Sequence, residues 1–167
     1  VIAPGADQEG AYAKVVASAT EGLLVGRCCT VIAIGAAGSG KTYSLFGPPE
    51  ILANSGSSWK EWGLLPRAAH HLFSRASAVG GIEGLLGVGG SFACSFVEVV
   101  DERVHDLLGK GRNLRVRESA ARGVHVPDAT LRAVEWEWPL QNLRQVWPDA
   151  EPGPGRALDP WRAPQVL

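Results

Sequence analysis

The sequence predicts an α/β domain in which helices flank a mostly parallel or mixed central sheet. Residues 28–34 (CCTVIAI) form a continuous apolar and β-branched stretch, the pattern of a strand that is buried on both faces. Segments with helical periodicity lie on both sides of this stretch, so helix and strand alternate along the chain. The 167 residues, of which 46% are hydrophobic and 20% charged, can bury the core of one domain. This composition excludes collagen-like, mucin-like and fully disordered chains.

The elements around that strand are predicted from periodicity and from capping residues. Residues 8–24 carry apolar side chains at helical spacing, with Asp7 placed to cap the start of the helix and Gly26 just beyond its end. Because proline is favoured at the first helical position, a second helix is expected from Pro66 to about Ala78. The remaining expectations, in chain order, are a surface loop at 47–63, a flexible glycine-rich connection at 80–90, a strand at 92–100, a short helix from Asp101 to Leu108, and short strands at 114–118, 124–126 and 131–134.

The charge balance gives no general signal for a polyanionic partner. Sixteen basic and seventeen acidic residues leave a net charge of −1, so we expect neither nucleic-acid binding nor attraction to an anionic membrane. The sequence contains neither an apolar run of membrane-spanning length nor a signal peptide, which predicts no membrane insertion and an intracellular location. The three cysteines form no C-x-x-C pair and are expected to be reduced and buried. The first residue is Val1 rather than Met, which suggests a fragment.

The composition changes after residue 134. Residues 135–167 are rich in tryptophan and proline, and the prolines from Pro148 onward prevent a regular element. Two interpretations stay open for this segment: a disordered or loosely docked tail, which we favour, and a tryptophan-anchored interaction segment. We therefore expect one folded domain at 1–134 and a divergent tail at 135–167.

One motif in the chain predicts phosphate binding. Residues 35–42 (GAAGSGKT) match G-x-x-x-x-G-K-[ST] at every required position, between the predicted strand and helix-forming residues. Glycines let successive backbone N–H groups turn toward phosphate oxygens, the lysine reaches the β- and γ-phosphates, and the threonine hydroxyl is placed to ligate magnesium. We expect Thr42 to be that magnesium ligand. The sequence therefore predicts a P-loop that holds a nucleotide through Gly35, Ala36, Ala37, Gly38, Ser39, Gly40, Lys41 and Thr42.

Hydrolysis of a bound nucleotide needs more than a P-loop. It also requires an acidic residue that holds magnesium and a group that positions the attacking water. Asp101 ends a predicted strand and Asp106 begins a D-x-x-G sequence, and both patterns are weak matches to that acidic residue. Asp101 is equally well explained as a helix N-cap, and Asp106 as a polar position of a short amphipathic helix. The catalytic residues are therefore unknown from the residues alone.

The order of segments around the P-loop resembles the kinesin motor domain. The segments that carry the resemblance are Gln8-Glu9 with Tyr12, Glu21-Gly22-Leu23-Leu24, Thr30-Val31-Ile32-Ala33 with the P-loop, Gly63-Leu64-Leu65-Pro66-Arg67-Ala68, and Ser95-Phe96-Val97-Glu98-Val99 with Asp106-Leu107-Leu108. The likeness covers residues 1–134 and implies a partial motor domain, the N-terminal half of a P-loop NTPase, with 47–63 as the family's variable insertion. The chain departs from the family pattern at Ile34, Ala36 and Ala37, where the family has an aromatic residue and Gln-Thr.

The resemblance implies an activity as well as a fold. It implies ATP and Mg2+ as cofactors, microtubules (tubulin) as the partner, and a cytoplasmic, cytoskeletal location. In the intact parent protein it implies ATP hydrolysis coupled to microtubule-based movement. The family's switch motifs are not found after Val134, so whether this chain is itself an ATPase stays open. The alternatives are a truncated, non-catalytic module that binds a nucleotide or a partner, and another P-loop nucleotide kinase or GTPase.

Overall fold

A computed structural model describes residues 5–48, 59–86, 91–109 and 111–134. These residues fall into two units: the first ends at Ser91, and the second begins at Phe92. The predicted tail at 135–167 lies outside the described residues, as do residues 49–58 of the predicted insertion loop. In the described part of the chain, no helix combines the length and the hydropathy that crossing a membrane requires.

The first unit is built from helices that pack around one long helix. The helices, in chain order, are α1 (Gln8–Val15), α2 (Ala17–Leu24), α3 (Lys41–Phe46), α4 (Leu64–Ala78) and α5 (Ile82–Leu86), with a short 3-10 helix at Trp59–Glu61. The other α-helices all pack against α4. The buried apolar side chains of this unit include Phe73 and Ala76 of α4, together with Val16 and Phe46. The core therefore lies along α4.

The helix predicted over residues 8–24 is two helices that meet at Val16. Asp7 caps the first of them as predicted, since its Oδ1 accepts a hydrogen bond of 2.8 Å from the Gly10 N–H. The carbonyl of Val16 accepts both the backbone N–H and the side-chain hydroxyl of Thr20, at 2.8 and 3.0 Å. A hydroxyl that bonds back onto the preceding turn often bends a helix, and this bond lies at the break between the two helices.

Helix α4 confirms the second predicted helix with a shifted start. It begins at Leu64, two residues before Pro66, and ends at Ala78 as expected. The glycine-rich connection that follows is more ordered than predicted, because it includes α5. Gly80 and Gly81 adopt φ values of 88° and 106°, conformations that side chains disfavour, and they make the turn between α4 and α5.

The strand predicted at 28–34 is not observed. None of the β-ladders of the described residues includes this segment. Val31, Ile32 and Ile34 are 38%, 72% and 88% exposed. A strand exists through hydrogen bonds to a neighbour, so an apolar, β-branched sequence without a paired neighbour stays irregular. Cys28 and Cys29 are free as predicted but exposed, so their predicted burial is wrong; Cys94 is free and half-buried.

The second unit contains three two-stranded antiparallel ladders. The strands are β1 (Ala93–Cys94), β2 (Val97–Val100), β3 (Arg103–Asp106), β4 (Arg117–Ser119), β5 (Gly123–His125) and β6 (Arg132–Ala133), and the ladders are β1 with β6, β2 with β3, and β4 with β5. The strand predicted at 92–100 is therefore two strands, whereas the last three predicted strands are confirmed with small shifts. In the described ranges these ladders are all antiparallel, so the mostly parallel or mixed sheet is not found there.

The helix predicted from Asp101 to Leu108 is wrong, because its residues form a hairpin. Val100 pairs with Arg103, which leaves Asp101 and Glu102 as a two-residue turn between β2 and β3. Their φ values are 49° and 61°, the left-handed region that a type I′ turn requires at both central positions. Asp101 is therefore a turn residue and not a helix N-cap.

Candidate phosphate-binding site

The predicted P-loop is a tight turn that leads directly into α3. The Ala36 carbonyl accepts a hydrogen bond of 3.2 Å from the Ser39 N–H, which closes the turn. Gly38 and Gly40 adopt φ values of 72° and 86°, which glycine reaches without steric penalty. Gly40 is the N-cap of α3, so the loop ends where the unbonded N–H groups of a helix begin. The glycines of the motif thus stand where the backbone needs them.

Lys41 is the first residue of α3, and its side chain extends back over the loop. Its Nζ donates hydrogen bonds to the carbonyls of Gly35 and Ala36, at 2.9 and 2.7 Å. An ammonium group has three protons, so two are engaged with the loop. A Cβ added to Gly35 would lie 2.5 Å from Ser39 Oγ, which shows how closely the loop folds on itself. The lysine cation is therefore held beside the turn that precedes α3.

Burial divides the motif into an exposed loop and an anchored helix. Residues 35–39 are exposed to solvent, whereas Thr42 in the first turn of α3 is only 8% exposed. Within the described residues, no group of three or more His, Cys, Asp or Glu side chains could hold a metal ion. The Thr42 hydroxyl is one group of this loop that could ligate a magnesium ion, which beside nucleotides also takes phosphate oxygens and water.

Two contacts that the sequence motifs did not indicate hold α3 in place. Gln8 is buried at the start of α1, and its Nε2 donates to the Tyr43 carbonyl in α3 at 2.7 Å. At the other end, Phe46 is buried, and its carbonyl accepts the Gly63 N–H at 3.2 Å. Gln8 belongs to the Gln8-Glu9 segment that carries the family resemblance, but the resemblance assigned its side chain no contact with α3.

Arg67 fixes the last part of the insertion loop, residues 59–62, to α4. This buried side chain donates hydrogen bonds to the carbonyls of Trp59, Lys60 and Trp62, at 2.9, 3.0 and 2.9 Å. Its guanidinium carbon also lies 5.1 Å from the centre of the Trp59 ring. Among the described residues, backbone carbonyls and an aromatic face satisfy this cation. Arg67 therefore has a structural role that its place in the sequence motif did not reveal.

A second polar network in the first unit joins α1, α2 and α4. His71 contacts the Tyr12 hydroxyl through Nδ1 and the Glu21 carboxylate through Nε2, both at 2.7 Å. Burial raises the pKa of the Tyr12 phenol, and the hydrogen bond to Thr20 opposes that shift only in part. Tyr12 therefore acts in its neutral, hydrogen-bonding form.

The two acidic residues considered for catalysis both have structural roles in the second unit. Asp101 is exposed in the hairpin turn. Asp106 is buried; its Oδ1 accepts the N–H groups of Leu108 and Gly109, and its Oδ2 accepts that of Thr130, at 2.9, 3.0 and 2.8 Å. Burial alone would raise the pKa of Asp106, but these hydrogen bonds and the one with the Thr130 hydroxyl outweigh it and lower the pKa.

Comparisons of the sequence with known proteins identify a family. The profile of the kinesin motor domain matches residues 1–145. Kinesin-like protein KIN-12B from Arabidopsis thaliana is 34% identical over 133 residues, which cover 79% of this chain and 10% of that protein. Human kinesin-like protein KIF15 is 35% identical over 130 residues, which cover 76% of this chain and 9% of that protein. The chain thus spans about a tenth of the length of these relatives.

A comparison of structures identifies a similar fold. A chain described as "Structure of a fast kinesin: Implications for ATPase mechanism and interactions with microtubules" matches with a TM-score of 0.68. The match covers 86% of this chain and 38% of that chain at 23% identity, so it shows the fold, and it confirms the predicted α/β class. The sequence comparisons show the family. The chain belongs to the kinesin motor domain family.

Proposed function

We propose that this chain binds ATP with Mg2+ through residues 35–42, as the nucleotide-binding part of a kinesin motor. In the intact protein, ATP hydrolysis would be coupled to movement along microtubules, which places the protein on the cytoskeleton. The observation that carries the proposal is the loop itself, with left-handed Gly38 and Gly40 followed by a helix that begins at Lys41. Membership of the kinesin family supports ATP as the nucleotide and tubulin as the partner.

The residues of the loop have separable tasks in this proposal. The exposed backbone N–H groups of 35–39 bind phosphate oxygens, and the N-terminal end of α3 adds a favourable dipole. Lys41 keeps one ammonium proton for a phosphate oxygen while the loop carbonyls hold the other two. Mg2+, when bound, would neutralise phosphate charge, and the hydroxyl of Thr42, in the first turn of α3, could ligate it.

A titration with two nucleotides tests the proposed site. Purified chain is titrated with MgATP and MgGTP by calorimetry, in parallel with Lys41→Ala and with Lys14→Ala as a matched control on an exposed position of α1. We expect Lys41→Ala to weaken ATP binding by on the order of 2 to 4 kcal/mol, because a cation that contacts phosphate is lost. Lys14→Ala should bind like the wild type. Equal affinity in Lys41→Ala would contradict the site, and preference for GTP would favour the GTPase alternative.

A second measurement separates a motor from a non-catalytic module. In the described residues, Asp101 occupies an exposed turn and Asp106 is saturated by hydrogen bonds to the backbone. We therefore expect the 167-residue chain by itself to show no phosphate release above background when microtubules are added. Microtubule-stimulated release from this chain would instead show ATPase activity and would reopen the assignment of a catalytic acid, with Asp101 and Asp106 as candidates.

A further inference from the structure

Helix α3 is too short to hold its own orientation. It has six residues, and isolated helices of fewer than about 12 residues are marginal in water. Lys41 and Thr42 occupy its first turn, so any tilt of the helix moves both side chains together. The positions of Lys41 and Thr42 must therefore depend on the contacts that other parts of the molecule make with α3.

Gln8 contacts α3 at the residue that follows Lys41 and Thr42. Its amide nitrogen lies 2.7 Å from the carbonyl oxygen of Tyr43, the residue directly after Thr42. The same carbonyl accepts the Gly47 N–H at 2.8 Å, so the glutamine bonds to a carbonyl that also belongs to the helix ladder. Gln8 is 8% exposed, which shields this hydrogen bond from competition by water.

We propose that Gln8 is a positioning residue for the phosphate-binding loop. It fixes α3 on α1 and so holds Lys41 and Thr42 where a nucleotide's phosphates and its magnesium would meet them. This inference rests on the proposed function, because it assigns Gln8 to the same site. It goes beyond that function, since the motif at 35–42 includes no residue from α1.

The chemistry of the contact explains why an amide is needed. The Tyr43 carbonyl can only accept, so its partner must donate a proton. A glutamate of the same shape would place a carboxylate oxygen against the carbonyl oxygen, and methionine would fill the space without donating. Gln8→Glu and Gln8→Met therefore remove the donor while they preserve the length of the side chain.

The test separates positioning from general stability with a control on the same helix. Tyr12→Phe removes the hydroxyl contacts from α1 to His71 and Thr20 and leaves the Gln8 contact with α3 intact. Affinity for a magnesium complex of a non-hydrolysable ATP analogue is measured at a temperature where every variant is folded by circular dichroism. We expect Gln8→Met to bind about two- to tenfold more weakly, the loss of one buried hydrogen bond, and Gln8→Glu to bind more weakly still. Tyr12→Phe should bind like the wild type.

A readout without nucleotide tests the contact between Gln8 and α3 separately from the proposed function. Hydrogen exchange at the Ser44 and Gly47 amides reports the ladder of α3, because these amides bond to Gly40 and Tyr43. We expect faster exchange at both amides in Gln8→Met and wild-type exchange in Tyr12→Phe. Unchanged exchange in Gln8→Met would overturn the positioning role even if the wild type binds ATP. If exchange is faster in Gln8→Met but the wild type binds no nucleotide analogue, the proposed function is overturned, and with it the role of Gln8 at that site.

Discussion

Among single residues, Thr42 combines a buried side chain with a predicted metal contact, and two substitutions separate these roles. Thr42→Ala removes the hydroxyl, whereas Thr42→Ser keeps it and removes only the methyl group. We expect Thr42→Ala to weaken ATP binding by about 1 to 2 kcal/mol when Mg2+ is present and by less in EDTA, because the hydroxyl acts through the metal. Thr42→Ser should keep the magnesium dependence of the wild type. The measurement is a pair of ATP titrations with Mg2+ and with EDTA, and equal losses in both buffers would contradict the metal role.

Asp106 gives a prediction about stability and pH. Its carboxylate accepts three backbone N–H groups, and an asparagine would turn a donor toward one of them. We expect Asp106→Asn to lower the free energy of unfolding at pH 7 by about 1 to 3 kcal/mol, the penalty for an unsatisfied buried group. Thermal unfolding followed by circular dichroism measures this loss.

The pH dependence of Asp106 follows from the direction of its pKa shift. The pKa of Asp106 is lower in the folded chain than in the unfolded chain, so the ionised carboxylate stabilises the fold at pH values above the usual carboxyl pKa of about 4. That contribution is lost as the pH falls through the lower, folded value. The melting temperatures of the wild type and Asp106→Asn should therefore converge as the pH drops. A constant difference across the acid range would show that the carboxylate charge is not what matters.

At the scale of elements, the sequence predicted helix ends that nearby residues determine, but it did not predict structures that depend on pairing between strands. The cap at Asp7 and the end of α4 at Ala78 depend on nearby residues, and both are confirmed. The helix predicted from Asp101 to Leu108 was wrong, because Val104, Leu107 and Leu108 have the spacing of one helix face. The hairpin that forms instead depends on hydrogen bonds with β2, which local spacing does not reveal. The P-loop turn was predictable because its glycines mark positive φ directly, whereas the support from Gln8 joins positions 35 residues apart.

The hairpin turn between β2 and β3 places Glu102 in a strained, left-handed backbone conformation. Glu102 has a φ of 61°, which side chains adopt at a free-energy penalty and glycine adopts freely. We expect Glu102→Gly to raise the free energy of unfolding by about 0.5 to 1 kcal/mol, with Glu102→Ala as the control that keeps a Cβ and gains nothing. Urea unfolding measures both variants. Equal stability of the glycine and alanine variants would contradict the strain.

At the scale of the whole molecule, the apolar segment directly before the P-loop is exposed and pairs with no strand of the described residues. Residues 28–34 have the composition of a buried strand, yet no ladder of the described residues includes them. The segment therefore presents exposed β-branched side chains and backbone groups without a ladder partner. Segments of this kind pair with other chains, because a new strand satisfies both the backbone and the side chains.

This exposure leads to a prediction about self-association of the 167-residue chain. Ile32 is 72% exposed in the uncovered segment, and Leu131 is 70% exposed in the second unit, so lysine substitutions at the two positions are matched in exposure. We expect Ile32→Lys to reduce concentration-dependent association in sedimentation velocity, since a charge opposes pairing along the segment. Leu131→Lys should associate like the wild type. Both substitutions should change the free energy of unfolding by less than about 0.5 kcal/mol, because neither side chain is buried. Equal effects of the two substitutions on association would mean that general surface charge, and not the segment at 28–34, controls the self-association of the chain.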